Sequence, residues 1–216
     1  MRPPLTHFPD HLADRFRRFK FRHFVANQDH YETLAKYGQN PDVMVLSCCD
    51  SRVDPETIFT AMPGELFVMR NVANLVPPYE TTGKYHGVSA ALEFAALNLR
   101  VKHIVVMGHS GCGGVRACIE HDAAVQTDAE FIRNWMSMLD EPHARLKREQ
   151  PGLQGLELRT ALEHEAVKTS LANLRTFPCI QILEGKGRVA LHGTYFDIAT
   201  GTLEVLNHAT GGFVPV

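Results

Sequence analysis

The sequence predicts an α/β protein: a mostly parallel central β-sheet flanked by helices, in one domain spanning 1–216 whose residues 1–38 form an N-terminal helical arm. Three observations carry this. Short continuous apolar runs, "VMVL" at 43–46 and "IVVM" at 104–107, have the length and composition of strands buried on both faces. Longer segments with helical spacing lie between such runs, the alternation that builds parallel sheets. Near the end, "RVALHGTYFDIATGTLEVL" reads as a hairpin with Ala199, Thr200 and Gly201 near its turn, which adds an antiparallel edge.

Taken in order, two helical stretches come first, roughly 10–24 and 26–38, ended by Gly38 and Pro41. Leu12, Phe16 and Phe19 place an apolar face on the first of them, and that face must bury against something. "DVMVLSC" follows as a strand, and "ELFVMRNVAN" as a second. "GVSAALEFAALNL" has helical spacing, with Gly87 at its start. "VKHIVVMGHSGCGGV" is a third buried strand that runs straight into a glycine-rich loop. A helix is expected over about 159–175, and "PCIQIL" is read as a further strand before the hairpin.

Composition narrows the function classes. Hydrophobic residues at 44% and charged residues at 21% are ordinary for a globular protein, and a formal net charge of -2 gives no reason to expect nucleic acid as a partner. No apolar run is long enough to span a bilayer, so no membrane partner is expected. The adjacent Arg17 and Arg18 lack the apolar stretch of an export signal, and a cytoplasmic location is expected. Five cysteines (48, 49, 112, 118 and 179) without a secretory signal favour metal or catalytic use over a disulfide framework. Of the 12 histidines, His7, His11, His23, His30, His121, His143, His164 and His208 lie in polar surroundings and are read as solvated surface residues.

Two strand ends concentrate the chemistry. "SCCDSRVDPE" puts a thiol, a carboxylate and a guanidinium together where the first strand ends, and "GHSGCGGV" puts His109 and Cys112 in a glycine-rich loop with two residues between them. In open parallel sheets, ligand sites form at the carboxyl ends of strands. Cys48 with His109 and Cys112 is a Cys₂His set, which suits zinc and leaves a fourth position for water or substrate. An H-x-x-C pair alone is a weak signal, and a cysteine at a strand end is more often an inert core residue. The conjunction is stronger, because Asp50 and Arg52 beside Cys48 have no core explanation. A nucleotide loop fails: Arg116 follows Gly111-x-Gly113 where a small residue is needed, and there is no Walker lysine. A vicinal-thiol redox protein, using Cys48 and Cys49, leaves His109, Cys112 and the Asp–Arg pair unexplained. A non-enzymatic zinc-stabilised binding module would need a fourth permanent ligand.

These motifs resemble the C-x-D-S-R and H-x-x-C signatures of the β-class carbonic anhydrases. The resemblance runs through "GQNP", "PGELFVMRNVAN", "AALEFA" and "LHGTYFDIATGTLEVL", nearly the whole chain. It implies a lyase that reversibly hydrates carbon dioxide to bicarbonate and a proton, with one Zn²⁺ per chain held by Cys48, His109 and Cys112 and zinc-bound hydroxide as the attacking group. Cys49 then fills a variable position. Asp50 orients the water and Arg52 holds Asp50, although Asp50 can reach the zinc in a closed state. By motif position Phe67, Val72 and Phe94 resemble the wall of the CO₂ pocket, with Gly113 beside it and Gln39 donating to substrate. Position 94 is often tyrosine in the family, so a polar role there is in doubt. The family further implies a homodimer, in some members a tetramer, with sites at the subunit interface and the N-terminal arm packed on the partner subunit. Relatives on the same fold hydrolyse CS₂ or COS, which stays an alternative. A subset binds bicarbonate at a second pocket that needs a tryptophan where this chain has Val45, with an arginine matching Arg70. Valine there implies no such lock, and a resting site with Asp50 paired to Arg52.

Overall fold

The computed structural model describes residues 8–120 and 129–216. The readings made for His7 and His121 therefore lie outside the described residues. The chain divides into two compact units, Met1–Gln39 and Asn40–Val216. Among the described residues no helix is long and apolar enough to cross a membrane.

The first unit is helical. α1 (Asp10–Arg18) continues into a π-helical stretch at Phe19–Phe24, and α2 (Gln28–Tyr37) follows. Gly38 ends α2 at φ 80, a backbone conformation that costs glycine little. Phe19 packs with His23, Phe24 and Tyr31, so the two helices share an aromatic cluster. Phe8, Leu12 and Phe16 continue this face but stay exposed.

The second unit is built on a six-stranded sheet in the order β2-β1-β3-β4-β5-β6. Its strands are β1 (Val43–Cys48), β2 (Leu66–Asn71), β3 (His103–His109), β4 (Ala190–Phe196), β5 (Leu203–Leu206) and β6 (Phe213–Pro215). β2, β1, β3 and β4 run parallel, while β5 and β6 turn back antiparallel. The strands bury Met44, Leu46, Ile104, Val106 and Leu191 against Leu92, Ala96, Val167, Leu171 and Ile180 of the helices. The expected hairpin is present: Asp197 accepts from the backbone N–H groups of Ala199 and Thr200, and Gly201 takes φ 71.

The helices of this unit are α3 (Pro55–Ile58), α4 (Gly87–Glu93, extended by a π-helical stretch at Phe94–Leu99), α5 (Gly113–Glu120), α6 (Glu130–Met136), α7 (Asp140–Glu149), α8 (Gly155–Leu174) and α9 (Pro178–Gly185). The last corrects the sequence reading of "PCIQIL" as a strand. Pro178 sits at the first helical position, where a missing N–H costs nothing, and Cys179, Ile180 and Leu183 turn inward at helical spacing.

α8 is the expected helix over 159–175, begun four residues earlier. It lies on β3 and β4 because the strands present glycine to it. A Cβ on Gly108 would meet a Val167 methyl at 2.6 Å, and one on Gly193 would meet the other at 2.9 Å. This seating also turns His164 inward, against the surface reading: its ring stacks on Phe213 (centroids 4.3 Å apart) and stands edge-on to Tyr195. His143, read as solvated, is buried in α7. Charged residues lie within two positions of each along the chain, and only the helical phase carries them inside.

Candidate metal centre

β1 and β3 are adjacent and parallel, so their carboxyl ends emerge side by side. Cys48 is the last residue of β1, His109 the last of β3, and Cys112 caps α5 by accepting from the Arg116 N–H (3.0 Å). All three are buried, and one ligand atom from each lies within 4.8 Å of the others. His109 Nδ1–H donates to the Ser110 carbonyl at 3.0 Å, which fixes the tautomer. Its Nε2 is buried and makes no hydrogen bond. A bare imidazole nitrogen facing two sulfurs is costly unless an ion takes its lone pair, so these residues fit zinc.

The two thiols are not equivalent. A hydrogen bond from the Cys112 thiol, and the Asp50 N–H at 3.4 Å, push the Cys48 thiol down. The proton the pair retains, together with burial, pushes Cys112 up, although the N–H groups of Gly114 and Val115 at the start of α5 oppose this.

Asp50 and Arg52 form a two-pronged pair. Arg52 Nε donates to Oδ1 (2.9 Å) and Nη2 to Oδ2 (2.6 Å), and the Arg52 backbone N–H adds a third bond to Oδ1 (3.0 Å). This holds the Asp50 carboxyl well below the usual carboxylate range. Arg52 also reaches the Gly111 carbonyl at 3.1 Å and so ties the two strand-end loops together. Gly111 itself sits at φ 70. Arg70 is engaged by the same loop: it donates to the carbonyls of Cys48 (2.9 Å) and Asp50 (2.8 Å) and pairs with Asp54 at 3.2 Å.

The remaining sequence-named residues divide. Val72 lies against the loop, since a Cβ on Gly114 would meet its methyl at 2.9 Å, and its carbonyl accepts from Trp135 Nε1. A Cβ on Gly113 would meet nothing within 4 Å, which leaves open space beside Cys112. Phe67 and Phe94 touch each other, centroids 5.8 Å apart, but not at this strand end. Phe67 pairs with Met44, four residues before Cys48, or about 13 Å along the strand. Phe94 is 44% exposed. Gln39 closes the first unit and is exposed.

Sequence reasoning missed Glu163. This α8 carboxylate is buried, accepts the Cys112 N–H on Oε1 (2.8 Å) and the Tyr195 hydroxyl on Oε2 (2.7 Å), and has Arg159 Nε 3.7 Å away. Burial raises its pKa, and burial followed by Glu163 raises that of Tyr195, which stays a donor. The available signal was an acid four residues before Val167, on the inward stripe of α8.

Comparison with known proteins gives one answer. A family profile described as carbonic anhydrase matches residues 43–203. The chain is similar to Beta carbonic anhydrase 3 of Arabidopsis thaliana, 36% identical over 197 residues, covering 91% of this chain and 76% of that protein. Among solved structures it is similar to the β-carbonic anhydrase CcaA (31% identity, TM-score 0.88, covering 96% of this chain and 91% of that one). It is also similar to one of two tetrameric β-carbonic anhydrases from the ascomycete Sordaria macrospora (26% identity, TM-score 0.81, covering 92% and 96%).

Proposed function

The chain belongs to the β-class carbonic anhydrases and is thereby a carbonate dehydratase, and from that premise we propose that Cys48, His109 and Cys112 hold one zinc ion per chain for the hydration of carbon dioxide to bicarbonate and a proton. The observation that carries the assignment is the buried, unbonded His109 Nε2 facing both sulfurs. Zinc there supplies a Lewis acid that makes water nucleophilic near neutral pH.

The chain's own residues do the rest. Asp50 is held too acidic to be an effective base, so its task is to accept a hydrogen bond from the attacking water and aim its lone pair. Arg52 occupies both carboxylate oxygens and keeps Asp50 from swinging toward the metal. Val72 gives apolar CO₂ a wall, and the space beside Gly113 gives it room. Gln39, Phe67 and Phe94 lie away from the strand end or in the other unit. We assign them to a site completed across a subunit interface, in a dimer or tetramer.

Stopped-flow CO₂ hydration on metal-analysed protein tests the reading. Active protein should carry about one zinc per chain. Cys48→Ala, His109→Ala and Cys112→Ala should each lose most zinc and nearly all activity, while Cys49→Ala keeps both. A zinc-free, fully active protein, or a Cys49→Ala variant as metal-poor as Cys48→Ala, would overturn it.

A further inference from the structure

β3 carries a histidine at each end. His109 belongs to the centre just described. His103, at the opposite end and six residues away, lies about 20 Å from it along the strand. His103 is exposed and faces a second imidazole: its Nδ1 is 3.1 Å from Nε2 of His192 on β4, with ring centroids 5.2 Å apart and planes at 49°. The sheet register produces this approach. His192 pairs with Val105, so His103 sits one pleat along on the same face, within diagonal reach.

We propose that His103 and His192 form a second cation site, specific for a divalent transition ion bound through imidazole nitrogen alone. The spacing suits one ion. Two nitrogens each about 2.0–2.1 Å from an ion and 3.1 Å from each other subtend roughly 95–100° at it, between the square-planar and tetrahedral values. Nickel, copper and zinc accept such ligands, whereas magnesium and calcium demand oxygen. In the metal-free pair one ring donates its N–H to the other. On binding, that proton moves to the ring's second nitrogen, leaving both facing lone pairs for the ion. Lys102, the residue before His103, is paired with Asp42 at 2.9 Å. His103 and His208 already lower the proton affinity of His192 after burial has done so, which keeps its ring neutral and available.

The site stands apart from the zinc reading, and the test keeps them separate. Zinc-loaded protein is titrated with Ni²⁺ by calorimetry and with Cu²⁺ by paramagnetic resonance and absorption. One equivalent beyond the catalytic zinc is expected, with two-nitrogen hyperfine structure and no thiolate charge-transfer band. His103→Ala and His192→Gln should each weaken that equivalent by at least about tenfold, with CO₂ hydration unchanged. Three results would overturn the proposal: no extra equivalent, an equivalent that both variants bind as tightly as the parent, or a thiolate band showing that the added ion has displaced zinc.

Discussion

Asp50 shows how one side chain can be fixed by its sequence neighbour. The Arg52 clamp keeps it ionised. Its folded pKa is depressed, so its stabilising contribution is fully present above the unfolded carboxylate value of about 4 and lost only as pH falls below that. No limb of the activity profile above about pH 5 should therefore belong to Asp50. Arg52→Ala releases the carboxylate, and stopped-flow at pH 8 should show kcat/KM lowered by about a hundredfold or more. Such an i, i+2 pair can be read from a sequence, because the residues that touch are printed together. Glu163 cannot, since it meets Cys112 from 51 residues away through a backbone N–H. Glu163→Leu strands that donor in the interior and should weaken zinc binding about 10–100-fold in chelator competition. Glu163→Gln keeps an acceptor and should lose much less.

α8 supports the site from behind without supplying a ligand. Beyond Glu163 it supplies Ser170 Oγ, which donates to the Asn74 carbonyl (3.0 Å) and accepts from the Val76 N–H (3.2 Å). These bonds pin a tight turn in which Ala73 and Asn74 are both left-handed, a conformation that costs on the order of 1–2 kcal/mol per residue. The helix keeps this position only while its seat is smooth. Gly108→Ala should destabilise the protein by about 1–3 kcal/mol in denaturant unfolding, and Val167→Ala should restore part of that. α8 also buries His164, whose pKa burial lowers to about 4, with Lys168 lowering and Glu165 raising it. The unfolded ring titrates near about 6.5, so the folded state keeps its full advantage above that pH and loses it as pH falls through about 4. His164→Phe should therefore show a smaller fall in Tm between pH 7 and pH 5 than the parent. The sequence announced α8 through its length and apolar spacing. It misled over "PCIQIL", because six apolar-rich residues satisfy either period and only the neighbouring packing chooses. The helices between residues 113 and 149 went unread for a related reason: they are short and interrupted.

At the scale of the whole molecule, the mostly parallel sheet, its antiparallel edge and the placing of both motifs at strand ends were legible, since they follow from buried runs and glycine loops. What surrounds the site was less so. The first unit carries exposed Phe8, Leu12 and Phe16, and Phe94 of the second unit is exposed as well. Assembly would bury such surfaces. Light scattering on the intact protein should give a mass of two or more chains, and Leu12→Glu with Phe16→Glu should lower it; a monomer with full activity would rule out a shared site.

The centre also has a history within folding. Cys48 and Cys112 are 64 residues apart in the chain and meet only because β1 and β3 pair side by side, after β2 and α4 have been laid down between them. Closing that distance is a slow, non-local event. An ion arriving early would find only the Cys48 segment or only the His109–Cys112 loop, and gain little by staying. A metal held by all three would therefore be a latecomer that certifies a finished sheet, and its uptake would serve as a clock for the moment the two central strands lock together.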